Sequence, residues 1–386
     1  MRSLIETRVA DRLAELDRAG LGRRSPTISD RQGTTYLLGD RRVVGFCSND
    51  YLGFADEAPA NLGGHECSLS AGSGASRLIS GDLPELRELE AELAELVGTD
   101  SAVLFPSGFQ VNTGVPGALI EPDDRVCSDR LNHASLIDGL RLSSAKVEII
   151  EHHEAPRLAT PPPQRVQWWF SESIFSMEGD MIDLSAARSH VARGGALYLD
   201  EAHSFGLVEG GSTLSKLHDL HADVVVGTLG KAVGAAGAFV GTSTLLAAWI
   251  RARARSFVFT TGFSPLLAER VRVHIAALRG ALGDARREQL WTNVRLLERL
   301  LGRDRGSQVS PIFPLVIGDN TRAVMIGEDL LARGWHIQAI RPPTVPAGSA
   351  RLRLTVSALH KREEIEGLAA DLRDVFSEHG LPLTTP

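Results

Sequence analysis

The run Gly227-Thr228-Leu229-Gly230-Lys231 follows directly on the apolar Val224–Val226, and further apolar sequence comes after it. A lysine set among glycines and apolar runs is poorly hydrated. Desolvation lowers its proton affinity, so its amine becomes a nucleophile able to condense with an aldehyde. The plainer alternatives are an anion-binding lysine or one that buries its stem and keeps its head in water. A phosphate loop of the GxxxxGK[ST] type is excluded, because that spacing is absent.

Asp200-Glu201-Ala202-His203 follows the apolar run ending at Leu199. The carboxyl ends of parallel strands are where α/β sheets present functional groups. An acid buried there can face a cation or a protonated ring nitrogen; a helix-capping aspartate beside a structural histidine is the plain alternative. Ser107-Gly108-Phe109 stands between an expected strand and an expected helix. Backbone N–H groups at such a junction can hold a phosphate, although an ordinary turn explains the tripeptide as well. His133, in Leu131-Asn132-His133-Ala134-Ser135, can stack on a flat ring or simply neighbour a capping asparagine. A nucleophilic lysine, a strand-end acid and a phosphate cup together match what pyridoxal 5′-phosphate needs. The lysine forms the imine, and the acid pairs with the pyridine nitrogen and keeps the ring an electron sink.

These groups need a scaffold. Short apolar runs at Ala102–Phe105, Val126–Ser128, Val147–Ile150, Val166–Phe170, Ala196–Leu199, Val224–Val226 and Ala238–Val240 are expected strands. Several are uninterrupted rather than alternating, as in strands covered on both faces. With helical stretches between them, they predict an α/β domain with a largely parallel sheet. Leu4, Val9, Leu13 and Leu16 form an apolar stripe on an N-terminal helix, and Gly39-Asp40 signals a hairpin. Pro84 opens a helix that Gly98 stops. After Gly302 come strands at Ile312–Ile317, Trp335–Ala339 and Leu352–Val356, with helices near 321–333 and 361–377. The expected division is an N-terminal helix and hairpin segment (1–45), a large domain (46–302) and a C-terminal α+β subdomain (303–386).

Composition bounds the partners. The chain has 386 residues, 41 Lys+Arg against 48 Asp+Glu and a formal charge of -7. That balance argues against nucleic acid, which needs clustered cations. Cys47, Cys67 and Cys127 have no zinc-ligand spacing, so no metal site is expected, and an odd count suits a reducing, cytoplasmic setting. The charged N-terminus has no apolar signal core. Ala232–Ile250 is uncharged and followed by Arg251, Arg253 and Arg255, but Gly234, Gly237 and Gly241 make it a buried loop, strand and helix rather than a membrane span. Pro161-Pro162-Pro163 reads as a surface connection.

The chain resembles the α-oxoamine synthase family of fold-type I pyridoxal-phosphate enzymes, and within it the biotin-pathway branch. The match is carried, in family order, by Ser48-Asn49-Asp50-Tyr51-Leu52-Gly53, Gly72-Ser73-Gly74-Ala75-Ser76-Arg77, Ser107-Gly108-Phe109, Asp129 through Gly139, Phe175-Ser176-Met177-Glu178-Gly179-Asp180, Asp200 through Ser204, Gly227 through Lys231, and Arg341 through Arg353. The resemblance implies a fold-type I transferase: a large domain with a mostly parallel, helix-covered sheet plus a smaller α+β C-terminal subdomain. It implies that Lys231 carries the cofactor and moves the substrate proton. Asp200 would bind the ring nitrogen, His203 would sit near the ring hydroxyl, and His133 would stack on the ring. Ser176 would hydrogen-bond the cofactor, while Gly108, Phe109 and Thr228 would hold its phosphate. Thr260 and Thr261 match a segment that reaches the phosphate of the neighbouring subunit, because the family is a homodimer with shared sites. Arg353 and Asn49 would meet the amino-acid carboxylate, Thr344 would lie near the acyl group, and Arg23 or Arg24 would meet a far carboxylate on the acyl chain.

The implied reaction is a decarboxylative condensation of an amino acid, glycine or alanine first, with an acyl-CoA or acyl-carrier-protein thioester. The competing readings are another member of the same family (a glycine C-acyltransferase, a serine palmitoyltransferase-like enzyme or a secondary-metabolite enzyme using an acyl-carrier protein), a fold-type I aminotransferase or decarboxylase, and a non-catalytic partner subunit. The sequence departs from the family at Leu86, where a histidine is common, at Gly81-Asp82-Leu83-Pro84-Glu85, and at Ala75. A local structural change is expected there.

Overall fold

The computed structural model describes residues 3–23, 25–58, 69–158, 165–303, 305–306 and 310–383. Helix α1 (Leu4–Arg18) starts at Ser3, whose hydroxyl accepts the Glu6 N–H while the Glu6 carboxylate accepts the Ser3 N–H. This box satisfies donors that a helix start leaves orphaned. The strands β1 (Ile28–Gln32), β2 (Thr35–Leu38) and β3 (Arg41–Gly45) follow as a meander. Then come α2 (Pro84–Val97), β4 (Ser101–Phe105), α3 (Gly108–Gly114), α4 (Pro116–Leu119), β5 (Arg125–Asp129), α5 (Ala134–Leu142), β6 (Val147–Ile150) and β7 (Gln167–Glu172). After these are α6 (Leu184–Ala192), β8 (Ala196–Asp200), α7 (Leu214–Leu217), β9 (Val224–Thr228), β10 (Ala238–Thr242), α8 (Thr244–Arg253), α9 (Arg255–Val258), α10 (Pro265–Arg279) and α11 (Ala281–Leu300). The chain ends with β11 (Ile312–Gly318), α12 (Asn320–Ala332), β12 (Trp335–His336), β13 (Gln338–Ile340), β14 (Ala350–Thr355) and α13 (Arg362–Glu378).

The contacts divide the chain into two units. The larger comprises Asn49–Ser176 and Asp180–Gln289; the smaller comprises Met1–Ser48, Met177–Gly179 and Leu290–Pro386. In the larger unit the strand order is β4-β10-β9-β8-β7-β5-β6. Strands β6, β5, β7, β8 and β9 are mutually parallel. Strand β10 is antiparallel to both β9 and β4, so β4 runs with the parallel set. One face packs Val103, Phe105, Phe170, Tyr198 and Val226 against Val111 of α3, Leu136 of α5 and Ile250 of α8. The other packs Cys127, Trp169, Leu197, Leu199 and Val225 against Ala187 of α6. With helices on both faces, β7 buries all of its residues, which explains why these strands read as unbroken apolar runs.

The smaller unit holds the sheet β1-β2-β3-β12 and the antiparallel sheet β11-β14-β13. The expected single strand Trp335–Ala339 is two pieces. Trp335 and His336 pair with β3, whereas Gln338 to Ile340 pair with β14. The α1 stripe forms a helix but no core: Leu4 is 92% exposed and Leu13 is 56% exposed. The uncharged stretch 232–250 resolves into a turn, β10 and most of α8. Among the described residues no helix is long and apolar enough to cross a membrane. The expectations on Cys67, Arg24 and Pro161–Pro163 fall outside the described residues.

Candidate active site

Asp200 closes β8 and Thr228 closes β9. Phe105, Ala238 and Thr228 stand side by side across β4, β10 and β9. The turn after β4 therefore delivers Ser107 and Gly108 to the edge that holds Asp200 and Thr228. The loop after β5 brings His133 to the same edge.

Asp200 is 6% exposed. Its Oδ1 accepts the Ala202 N–H at 2.9 Å and its Oδ2 accepts Asn112 Nδ2–H at 2.7 Å. Among the described residues no lysine, arginine or histidine forms an ion pair with it. A buried carboxylate held by two neutral donors is costly unless a cation completes its shell. A protonated ring nitrogen fits that need.

Lys231 Nζ lies 2.8 Å from His203 Nε2, and His203 Nδ1 lies 2.5 Å from Tyr51 Oη. Tyr51 Oη donates to Asn49 Oδ1 at 3.3 Å. With the ammonium donating to Nε2, Nδ1–H donates to Tyr51, and one directional chain runs from Lys231 to Asn49. His133 caps α5, accepting the Ser135 N–H at Nδ1. The backbone N–H of His133 donates to Glu172 Oε1 at 2.6 Å. Burial lowers the His133 pKa; Asp200 pulls it back up and Lys231 pushes it further down, so the ring responds to both groups.

The phosphate expectation rests on α3. Ser107 caps it by accepting the Gln110 N–H, and the first N–H groups of a helix have no intrahelical acceptor. A Cβ built on Gly108 would meet only Ala238 Cβ, at 4.0 Å, so the backbone there is open to a bulky anion. Thr228 Oγ1 accepts the Gly230 N–H at 3.4 Å. Ser176 is buried in the same unit. Thr260 and Thr261 follow α9, and Thr261 bridges to Ser76.

The segment 81–85 is held by ion pairs. Asp82 takes two hydrogen bonds from Arg77 and two from Arg87. Arg77 and Arg251 also meet Glu90, which accepts the Leu104 N–H at 2.8 Å. Leu86 is fully buried, a core residue where the family often has a histidine.

In the smaller unit, Arg23 donates to Thr344 Oγ1 at 3.2 Å although 321 residues separate them. Arg341 donates to the Gly20 and Gly22 carbonyls, and burial, with the charge of Arg23 adding to it, lowers its pKa. Two guanidinium groups that repel each other suit an anionic ligand. Arg353 is buried on the central strand β14 and donates to Thr355 Oγ1 at 3.1 Å. Arg351, its neighbour in sequence, is paired with Glu178 at 2.8 Å.

Sequence reasoning assigned nothing to Asn112, and no role to Tyr51 or Arg341 although their segments carried the resemblance. Their parts come from tertiary contacts. Among the described residues, one cluster away from this edge has ligand-type atoms: His152 and His153 both meet Asp180 Oδ2, at 3.0 and 3.1 Å. Hydrogen bonds and charge from Asp129 and Asp180 outweigh burial and raise the His152 pKa to about 10.

A family model described as aminotransferase class I and II matches residues 41–372. An 8-amino-7-oxononanoate synthase of Anaeromyxobacter sp. strain K is 40% identical over 387 aligned residues, covering 97% of this chain and 96% of that protein. One from Methylococcus capsulatus is 40% identical over 96% of this chain and 98% of its own length. Among solved structures, the serine palmitoyltransferase of Sphingomonas wittichii superposes with a TM-score of 0.86 at 26% identity, over 98% of this chain and 99% of that one.

Proposed function

The chain belongs to the aminotransferase class I and II family, and on that footing we propose that it is a pyridoxal 5′-phosphate-dependent α-oxoamine synthase of the 8-amino-7-oxononanoate synthase kind. The observation that carries the reading is Asp200, a buried carboxylate that among the described residues forms no ion pair, at the same sheet edge as Lys231, His203 and His133. Aminotransferase class I and II relatives at 40% identity over almost the full length, named for one condensation, supply the reaction.

The product in that name defines the substrates. A nonanoate with a ketone at carbon 7 and an amine at carbon 8 divides into alanine without its carboxylate and a seven-carbon acyl chain that ends in a second carboxylate. The new bond joins the amino acid's α-carbon to the thioester carbonyl, and the thiol and carbon dioxide leave. When bound, the cofactor supplies an aldehyde for the amino group and a ring that takes up the electron pair left by the α-proton.

The chain's own residues supply the rest. Lys231 would hold the cofactor and then carry the α-proton on Nζ. Asp200 would keep the ring nitrogen protonated. His203, tied to Tyr51, would meet the ring hydroxyl, and His133 would cover the ring face. Gly108, Phe109, Thr228 and Ser176 would anchor the cofactor, and Thr260 and Thr261 would complete the phosphate site of a partner copy in a homodimer. Arg353 and Asn49 would orient the amino acid. Arg23 and Thr344, already hydrogen-bonded to each other, meet the far end of the acyl chain.

The test is a panel of amino acids against acyl-CoA and acyl-carrier thioesters, scored by thiol release. Thiol and carbon dioxide released together from alanine and a carboxylate-ended thioester support the reading. A keto acid formed without any thioester indicates an aminotransferase. Lys231→Ala should abolish turnover while circular dichroism stays native; a Lys231→Ala protein with full activity would sink the assignment.

A further inference from the structure

Beneath Asp200 lies a polar side chain given no role above. Asn112, on α3, is 1% exposed. Its Oδ1 accepts the hydroxyl of Tyr198 at 2.9 Å, and Tyr198 is completely buried on β8. A phenol at high pKa is a donor there, so it fixes which way the amide faces: burial, with Asp200 adding to it, raises the Tyr198 pKa well above its ordinary value. Both Nδ2 hydrogens then point the other way, one to Asp200 Oδ2 at 2.7 Å and one to Ser135 Oγ at 2.9 Å.

The network continues. Ser135 Oγ lies 2.8 Å from His133 Nδ1. The serine hydroxyl has one proton. Accepting from Asn112, it is oriented to give that proton to Nδ1, where the Ser135 N–H also points at 3.3 Å. Nδ1 is thus an acceptor and the ring's own proton sits on Nε2. The lowered His133 pKa agrees with a neutral ring.

We propose that Asn112 is the positioning residue of this site, whose one amide sets both the orientation of the Asp200 carboxylate and the tautomer of His133. The acid at the ring nitrogen and the imidazole over the ring face are therefore set by one group rather than independently. The inference rests on the cofactor reading above. The backbone holds Asn112 in place: a Cβ on Gly139 of α5 would fall 1.8 Å from the Asn112 carbonyl oxygen, and one on Gly114 would fall 1.8 Å from Ser256 Oγ. Only glycine at these positions lets α3 lie this close to α5 and α9, so the amide cannot drift to another partner. Aspartate at 112 would face Asp200 with a second carboxylate, and leucine would fill the volume without a donor.

The experiment is a double-mutant cycle on cofactor binding. Apoenzymes of the wild type, Asn112→Leu, Asp200→Asn and the double variant are titrated with pyridoxal 5′-phosphate. The pH at which the visible absorption of the bound cofactor changes is recorded, with kcat and KM for the amino acid. A hydrogen bond to a charged group is worth about ten- to a hundredfold in an equilibrium. Asn112→Leu is expected to weaken cofactor binding by about that factor, shift the pH titration and lower kcat more than it changes KM. In the Asp200→Asn background the same substitution should change affinity by a clearly smaller factor, because the charge the amide meets is gone and only its link to His133 through Ser135 remains. The same factor in both backgrounds, or a wild-type pH titration in Asn112→Leu, overturns the proposal. If Asn112→Leu fails to fold, Tyr198→Phe frees the amide to rotate while keeping the ring packed on Phe170, and it must show the same directions at smaller size. Wild-type behaviour of Tyr198→Phe would also overturn it. A wild-type chain that binds no pyridoxal phosphate removes the underlying cofactor reading, and this inference with it.

Discussion

Acidification should weaken the smaller unit through one histidine. His360 is completely buried, and its ring stacks on Phe46 with centroids 3.8 Å apart and planes 5° from parallel. Nδ1 accepts the Ser357 N–H at 2.9 Å and Nε2 faces the Gly45 carbonyl at 3.0 Å. Both nitrogens are satisfied in the neutral form, and a proton on Nδ1 would point at an N–H. Burial lowers the pKa from 6.5 to about 4, against the Gly45 carbonyl, which favours the protonated ring. The unfolded chain therefore takes up the proton first. Stability from this group is intact above pH 6.5 and falls as pH drops towards 4. The shift of about 2.5 units, at 1.36 kcal/mol each, sets a full loss of about 3 kcal/mol, of which about 2 kcal/mol is gone by pH 5. The assay is urea unfolding at pH 7.5 and pH 5 for the wild type and His360→Gln. Glutamine can still donate to Gly45 and accept from Ser357, and it does not titrate. Acid losses from carboxylates are common to both proteins and cancel in the difference. The wild type should lose about 2 kcal/mol more than the variant; equal losses would refute the reasoning.

Other outcomes follow from the same structure. Asp200→Ala should retain its fold and lose most activity, measured as thiol release, because a neutral pyridine is a poor electron sink. At the alkaline end the sign reverses. The pKa of His152 is raised from 6.5 to about 10, so its stabilisation is complete below pH 6.5 and is lost as pH rises through 10. His152→Asn should flatten the decline of urea midpoint between pH 7.5 and pH 10. Arg23→Ala should raise KM for a carboxylate-ended thioester by about tenfold or more, the value of a hydrogen bond to a charged group. It should leave KM for a plain acyl thioester of equal length unchanged. Comparable KM changes for both thioesters would count against a carboxylate contact.

What the sequence discloses depends on how far apart the cooperating atoms lie along the chain. The unbroken apolar runs reported the layered sheet because burial on both faces removes alternation, and that cause acts locally. Lys231 and Asp200 were noticed for a similar reason: Asp200 ends β8, Lys231 lies in the turn after β9, and the chemistry of lysine or aspartate in a dry setting is written in the neighbouring residues. The reversal of β10 and the break at Ile337 were not legible. Each depends on which strand is waiting alongside, and Trp335–His336 and Gln338–Ile340 find different sheets. The α1 stripe shows the opposite failure, since a periodic apolar face predicts a helix and says nothing of whether this chain covers it. Arg23 and Thr344 entered through family resemblance alone, because 321 residues lie between two groups 3.2 Å apart. Asn112 is the hardest case. An asparagine inside a short helix has no signature of its own. Its meaning arises only because Gly139, far downstream, lets two helices touch at backbone distance and so puts an amide under an acid. Residues that react can be read from their chemistry, whereas residues that hold them in place must be read from the fold.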